Sequence, residues 1–444
     1  MTGMWYYITV HKEERNKIRG ILAVLVETGA KDVLHRSFPG GYAVSGKRIS
    51  RILILAGMVV LAGSRGLVAA QEGPSVISKE HVVVYGEAGR FAGWPANNGL
   101  WNWGNEILVG FELGWWMDRG PNKHSIDPSR RSERVLARSL DGGQSWTLEK
   151  NEVLDSDLTV SPRPSEGVNF AHPQLAIQCT SERFYLSYDR GKTWQNPYEL
   201  PYFGRDLMAR TDYIVNGPDD CFFFLTAEKS NGDEGIPFCT RTTDGGKSFD
   251  FLSWIGTEPE GYSIMPASVR CCDGKLIVAV RRYERGDIRR GWIEVYESND
   301  DGLTFDFVCV AADTGSNGGN PPSMLMLSDT RICLAYGFRS PPYGIRAKVS
   351  GDAGRTWSDE IVLRDDGRNW DLGYTRTVQR PDGKIVTVYY FSTDEITEQF
   401  IAATIWEIES LFNKGDVNRD GVVNFQDYST VIGQWLGHDA SAEE

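Results

Sequence analysis

The stretch SLDGGQSW at residues 139–146 returns as SYDRGKTW at 187–194, TTDGGKSF at 242–249, SNDDGLTF at 298–305 and SGDAGRTW at 350–357, spaced by 48, 55, 56 and 52 residues. A period near 50 marks a repeat array, in which each copy is one supersecondary unit that cannot bury its faces alone. Between the copies lie short apolar or alternating runs, EILVGFELG, FYLSY, CFFFLTA, KLIVAVRR, ICLAYGF and KIVTVYYF, each bounded by Gly, Pro, Asn or Asp. These read as strands of five to eight residues, and no amphipathic helix interrupts them. The architecture is all-β.

Within each copy the pattern S/T-x-D-x-G-x-S/T-W/F is accounted for by a turn. The Asp carboxylate accepts from the backbone N–H groups that follow, Gly supplies a step with positive φ, and the terminal aromatic plugs the wedge between adjacent sheets. Asp141, Asp189, Asp244, Asp300 and Asp352 are therefore expected to staple hairpins, not to carry chemistry. This motif at this spacing resembles the Asp-box repeat of the sialidase (neuraminidase) superfamily. The resemblance spans residues of about 80–408 and implies a sialidase-like six-bladed β-propeller, with five boxed blades and one without a box.

The chain of 444 residues has a formal charge of −13. That excludes a nucleic-acid partner, since phosphate binding needs a basic surface, and disfavours anionic lipid. The 14 Trp and 18 Tyr suit strand-rich folds and sugar platforms equally. Residues 47–70 read as an export signal: a basic cluster, an apolar run too short for a membrane span, and Val68 and Ala70 at cleavage spacing before Gln71. An exported, periplasmic or cell-surface location follows. Residues 1–46 precede the signal and read as a misassigned start or an unstructured extension, with Val44 an alternative initiator. The seven Cys show no metal-ligand spacing and are expected to be mostly buried free thiols.

The sialidase resemblance implies a site in which three arginines clamp a sugar carboxylate, a Tyr is the nucleophile, a Glu activates it and a loop Asp supplies the acid. YTRTVQRPDGKIVTVYY (374–390) looks like the family's Tyr strand, with Tyr374 seven residues before Pro381. On a regular strand Arg376 shares its face, to acidify the phenol or hold an anion. SIMPASVRCCDGKLIVAVRR resembles the strand pair carrying the Glu and a clamp Arg. Arg281 falls seven after Gly274 as required, but the Glu position holds Met265. The family's first Arg aligns with Gly93, so Arg90 is expected to substitute for it. For the third, Arg339 and Arg346 are both offered, and Arg339 is favoured because it ends a strand and opens a loop. The loop before the first box offers Asp118, His124 and Asp127 as the acid, of which Asp127, preceding Pro128, is chosen. Glu166, His172, Arg210, Asp212 and Asp371 read mostly as solvated faces or hairpin staples. Asp212 and Asp371 keep open an inverting pair of carboxylates about 6.5–9.5 Å apart.

After the boxes end, DVNRDGVVNFQD (416–427) fits a twelve-residue calcium loop. Asp416, Asn418, Asp420, Asn424 and Asp427 offer side-chain oxygens, Val422 a carbonyl, and Gly421 the sharp turn. A short helix follows. The segment 411–437 resembles one repeat of a type I dockerin, although a full dockerin has two. It implies structural Ca2+ and attachment to a cohesin-like or cell-surface partner. The expected function is that of an exo-glycosidase acting on an anionic glycan, sialylated glycans included. Its rivals are another glycan-cleaving chemistry on the same scaffold and a non-catalytic glycan-binding propeller that stacks sugars on WPANNGLWNW.

Overall fold

Six antiparallel sheets follow one another along the chain. The computed structural model describes residues 76–155, 159–195, 197–284 and 289–409. The first sheet comprises Leu100–Trp103, Glu106–Trp115, Glu133–Ser139 and Thr147–Lys150, with Arg90–Gly93 also paired to Glu106–Trp115. In the second, Ala176–Ser181, Arg183–Ser187 and Tyr198–Glu199 are completed by Ala209–Arg210. The third runs from Tyr213–Val215 to Asp250–Trp254, the fourth from Tyr262–Arg270 to Asp306–Gly315, and the fifth from Ser323–Met326 to Ile361–Arg364. The sixth contains Gly373–Gln379, Ile385–Phe391 and Phe400–Ile408, and its outer strand is the N-terminal Val76–Tyr85, with His81 opposite Thr404. Each apolar run between the boxes lies in one of these strands. One helical turn interrupts the described β-structure, Pro95–Asn98.

Six apolar clusters fill the six gaps between neighbouring sheets and close the ring. Phe111 and Val109 of the first sheet pack with Val388 and Ile405 of the sixth, and Leu108 and Leu136 with Tyr185 of the second. Phe184 meets Phe223, Phe224 meets Val278, Ile293 shares a cluster with Leu334, and Ile345 one with Tyr389. The molecule is a six-bladed β-propeller. Each fully buried aromatic or branched aliphatic side chain in these gaps contributes about 1.5–3 kcal/mol, and ring closure lets every sheet bury both faces.

The boxes lie between the third and fourth strands of the first five sheets. In each, the leading Ser or Thr hydroxyl donates to the Asp carboxylate at 2.8–2.9 Å, and the same carboxylate accepts the N–H of the later Ser or Thr at 2.9 Å. Each terminal aromatic, Trp146, Trp194, Phe249, Phe305 or Trp357, packs into the gap toward the preceding sheet. The sixth sheet has no box for a topological reason: its third and fourth strands come from opposite ends of the chain, so no turn joins them.

Burial alone would raise the Asp141 carboxyl, but the Ser145 hydroxyl and N–H, with the other turn donors, hold it down to about 2. The other four box carboxylates are also held low by their turn partners. A depressed carboxylate pKa stabilises the fold above the unfolded value, near 4, and that stabilisation is lost as pH falls toward the folded value. We expect acid unfolding to begin below about pH 4 and to run toward about pH 2. Asp244→Ala should cost about 1 kcal/mol, measured by denaturant unfolding, with activity per folded molecule retained.

All seven cysteines are free thiols. Cys179, Cys221, Cys239 and Cys333 are buried, whereas Cys271 and Cys309 are half-buried and Cys272 is exposed. The signal segment 47–70, the residues before it, and the calcium-loop positions Asp416, Asn418, Asp420, Val422, Asn424 and Asp427 lie outside the described residues. Among the described residues no helix is long and apolar enough to cross a membrane.

Candidate functional site

The inner strands of the fourth and sixth sheets start at the end of the ring opposite the boxes and run toward them. Arg270, at the far end of one, reaches the box residue Asp301, and Arg380, beyond the other, reaches Gly142 of the first box. Both strands carry the same irregularity near their start. Pairing shifts between Ile264 and Ala267 in one and between Gly373 and Arg376 in the other, leaving Met265 at φ 55° and Tyr374 at φ 50°. A left-handed step at a non-glycine residue costs on the order of 1–3 kcal/mol and persists where its surroundings fix it. Here the Met265 N–H donates to Thr226 and the Tyr374 N–H to the buried Asn320. Gly373, at φ 99°, lies against Asn320 so closely that an added Cβ would meet that side chain at 2.4 Å.

The bulges bring Tyr374 beside Met265 and Tyr262. Its phenol oxygen accepts from Arg281 Nη1 at 3.1 Å, and the Arg339 guanidinium lies 5.4 Å from its ring. Burial would push the phenol up. The charges of Arg281 and Arg339, the Arg281 hydrogen bond and the charge of Arg210 more than cancel this, and the Tyr374 pKa is lowered. The structure thus brings Tyr374, Arg281 and Arg339 together. Arg346 instead bonds the carbonyls of Arg364 and Pro342.

The guanidinium donors of Arg281 and Arg339 are occupied by the protein itself. Arg281 bonds the Gly318 carbonyl twice, as well as Tyr262, Tyr374 and the Met265 sulfur. Arg339 bonds the carbonyls of Leu372, Gly319 and Asn317 and the Tyr390 hydroxyl. The loop 316–320 therefore offers its carbonyl oxygens to the groups that a carboxylate clamp would present to substrate. Arg210 differs. Its Nε donates to Asn97 and its Nη1 to the carbonyls of Met208 and Ala209, while Nη2 has no protein partner among the described residues.

Three expected positions are not brought to this cluster. Arg90, at the start of its strand opposite Trp115, donates to the Gly114 carbonyl, pairs with Glu133 at 3.6 Å and stacks over Trp115 at 4.4 Å. Asp127 closes its own turn, accepting the Ser129 N–H and hydroxyl at 2.9 and 2.6 Å, and these bonds hold its carboxyl low. Arg376 does not share the face of Tyr374, since the bulge breaks the alternation between them. It donates to the carbonyls of Ala96 and Thr211.

Arg376 and Asp212 line a cavity of about 350 Å³ with Trp101, Trp103, Ser323 and Met324. Asp212 Oδ2 is buried without a partner, and burial, against the charge of Arg376, pushes its carboxyl up to about 7. Among the described residues no second carboxylate lines that cavity, so Asp212 has no inverting partner there. Asp371 is elsewhere. Buried beside the cluster, it accepts the Ser125 N–H at 2.8 Å, the Tyr390 hydroxyl at 2.7 Å and His124 Nδ1 at 2.5 Å. In WPANNGLWNW, Trp101 is buried against Trp194, whereas Trp94 is only partly buried and packs on Phe91 and His124.

Of the residues gathered here, sequence reasoning did not name Tyr262, offered His124 as the acid but chose Asp127, and read Arg210 as a solvated face or hairpin staple, since their partners come from different blades and loops. Glu234, between the second and third strands of the third sheet, contributes negative charge toward Arg281, Arg210 and Tyr262.

No protein-family model and no curated sequence matches the chain. Among solved structures, it is similar to a protein of unknown function from Dyadobacter fermentans, with 22% identity over 76% of this chain and 100% of that one and a TM-score of 0.58. It is also similar to a Trypanosoma rangeli sialidase mutant displaying trans-sialidase activity (12%, 83% and 63%, TM-score 0.48) and to a Penicillium chrysogenum α-L-arabinanase complexed with arabinobiose (13%, 74% and 98%, TM-score 0.47). The first likeness concerns the fold alone, and the two enzymes are looser matches that decide nothing about the reaction.

Proposed function

We propose that the protein is an exported glycoside hydrolase that uses Tyr374 as nucleophile on an anionic glycan, sialylated glycans included. One observation carries the reading: the Tyr374 phenol oxygen lies 3.1 Å from Arg281 Nη1, with Arg339 and Arg210 adding charge. A phenol facing cations gives up its proton more readily, so the arginines take over part of the work of the missing Glu, and Met265 is no obstacle. The same positive field favours an anionic sugar. With Arg281 and Arg339 saturated, the direct contact to a substrate carboxylate falls to Arg210. We also propose that the tail holds Ca2+ through the loop 416–427 and serves attachment.

The test is a fluorinated glycosyl fluoride of a sialic or uronic acid, which should trap a covalent adduct on the peptide containing Tyr374. An adduct on a carboxylate would overturn the reading. Arg210→Ala should raise KM for the carboxylated sugar about 10- to 100-fold, the value of one charge-assisted hydrogen bond. Neutral sugars should be affected far less.

A further inference from the structure

Resting on that reading, we propose that His124 is the proton-transfer residue of the reaction, that Asp371 positions it, and that Trp94 and Trp370 wall the sugar subsite in which it works. The tautomer follows from the partners. Asp371 is held as a carboxylate and can only accept, so His124 Nδ1 carries the proton of their 2.5 Å contact. Nε2 is then an acceptor in the neutral ring and a donor in the imidazolium, and it has no hydrogen-bond partner among the described residues. The His124 side chain is 33% exposed while that of Asp371 is 2% exposed, so the pair presents a reactive nitrogen on a buried anchor.

The ring stands 5.3 Å from Trp94, edge on, and 5.1 Å from Trp370. Two flanking indoles suit the apolar face of a pyranose. The dyad also adjoins the tyrosine cluster: Arg339 lies 5.2 Å from the Trp370 ring and 5.4 Å from that of Tyr374, and Tyr390 bridges Arg339 to Asp371. The charged groups facing His124 are Asp371 and, across Trp370, Arg339. A purely structural role for the imidazole is poorly motivated, because the loop is already fastened. Ser125 N–H donates to Asp371, Trp370 Nε1 to the Pro121 carbonyl, and Asp127 N–H to the Trp115 carbonyl.

In the first step Tyr374, entering as the phenolate with its proton already lost to solvent, bonds the anomeric carbon as the glycosidic C–O bond breaks, and the Nε2–H of the imidazolium passes its proton to the departing oxygen. In the second, water attacks the anomeric carbon, gives its proton to the neutral Nε2, and releases Tyr374 as the phenolate. Water is the one co-reactant.

The test compares wild type, His124→Ala, His124→Gln, Asp371→Asn and Tyr374→Phe on 2,4-dinitrophenyl and methyl glycosides of sialic, uronic and neutral sugars. The dinitrophenolate departs without a proton, whereas the methoxide needs one. We expect His124→Ala to lose about 10²- to 10⁴-fold on the methyl glycoside, far less on the dinitrophenyl one, and the alkaline limb of its kcat/KM profile. Asp371→Asn should move that limb to lower pH, a change that a packing role would not cause. If His124→Ala fails to fold, His124→Gln, whose amide can still donate to Asp371, carries the comparison. Equal losses on both leaving groups with an unchanged pH profile, alongside an inactive Tyr374→Phe, would overturn the role of His124 and leave that of Tyr374 standing. Wild type inert on every glycoside, or Tyr374→Phe fully active, would remove both.

Discussion

Tyr374→Phe should abolish turnover of the true substrate, lowering kcat by at least about three orders of magnitude while leaving ligand affinity within a few-fold. Removing one oxygen deletes the nucleophile and the acceptor of Arg281 Nη1, but the ring keeps its edge contact with Tyr390, 5.8 Å between centroids. Folding should be little changed, since the N–H of residue 374 still donates to Asn320 and fixes the bulge. The same variant reports on the phenol. Ultraviolet titration of wild type should contain one tyrosine ionising below the ordinary range near 10, and that component should vanish in Tyr374→Phe. A Phe variant that retains full turnover would transfer the chemistry to carboxylates.

The second large effect is structural. Arg339 is 1% exposed and donates to three backbone carbonyls, those of Leu372, Gly319 and Asn317, and to the Tyr390 hydroxyl. Arg339→Ala leaves those acceptors buried without a donor, at about 1–3 kcal/mol for each one that water cannot reach, and it opens a cavity. A loss on the order of 3–5 kcal/mol is expected, measured as the shift of the denaturation midpoint at constant m-value. Arg339→Lys should recover little, because one ammonium cannot reproduce a planar fork reaching both Leu372 and the 316–320 loop. A neutral result would mean that the carbonyls find other donors. It would also return Arg339 to the role of a substrate clamp.

These expectations mark where sequence reading succeeded. The boxes were legible because each staple is local: Asp244 finds Thr242 and Ser248 within four residues, so the motif states its own geometry. Repetition then fixed the blade period, and the period fixed the number of blades. Tyr374 and Arg281 were singled out by the spacing from Pro381 and Gly274 that the family resemblance implies, and the structure sets the Tyr374 oxygen 3.1 Å from Arg281 Nη1. The same counting located Met265 at the activating position, and the structure places it on the matching bulge.

What the chain order could not supply was the set of partners that meet only when the ring closes. His124 and Asp371 are 247 residues apart, and Arg376 and Thr211 are 165 apart. Arg90 and Asp127 have the right chemistry in the sequence. Yet one is held by the Gly114 carbonyl, Glu133 and Trp115 of its own sheet, and the other closes its own turn. The bulges decided the rest. A single unpaired step re-aims every side chain beyond it, so the shared face predicted for Tyr374 and Arg376 was lost in a way that strand alternation cannot foresee. Sequence alone thus determined the repeat, the all-β class, the staples and the strand that carries Tyr374, all consequences of interactions within a few residues. Only tertiary structure decided which arginines surround that phenol, that two of them are saturated by backbone carbonyls, and that a histidine is anchored on a buried carboxylate, because those contacts join residues from different blades and loops far apart in the chain.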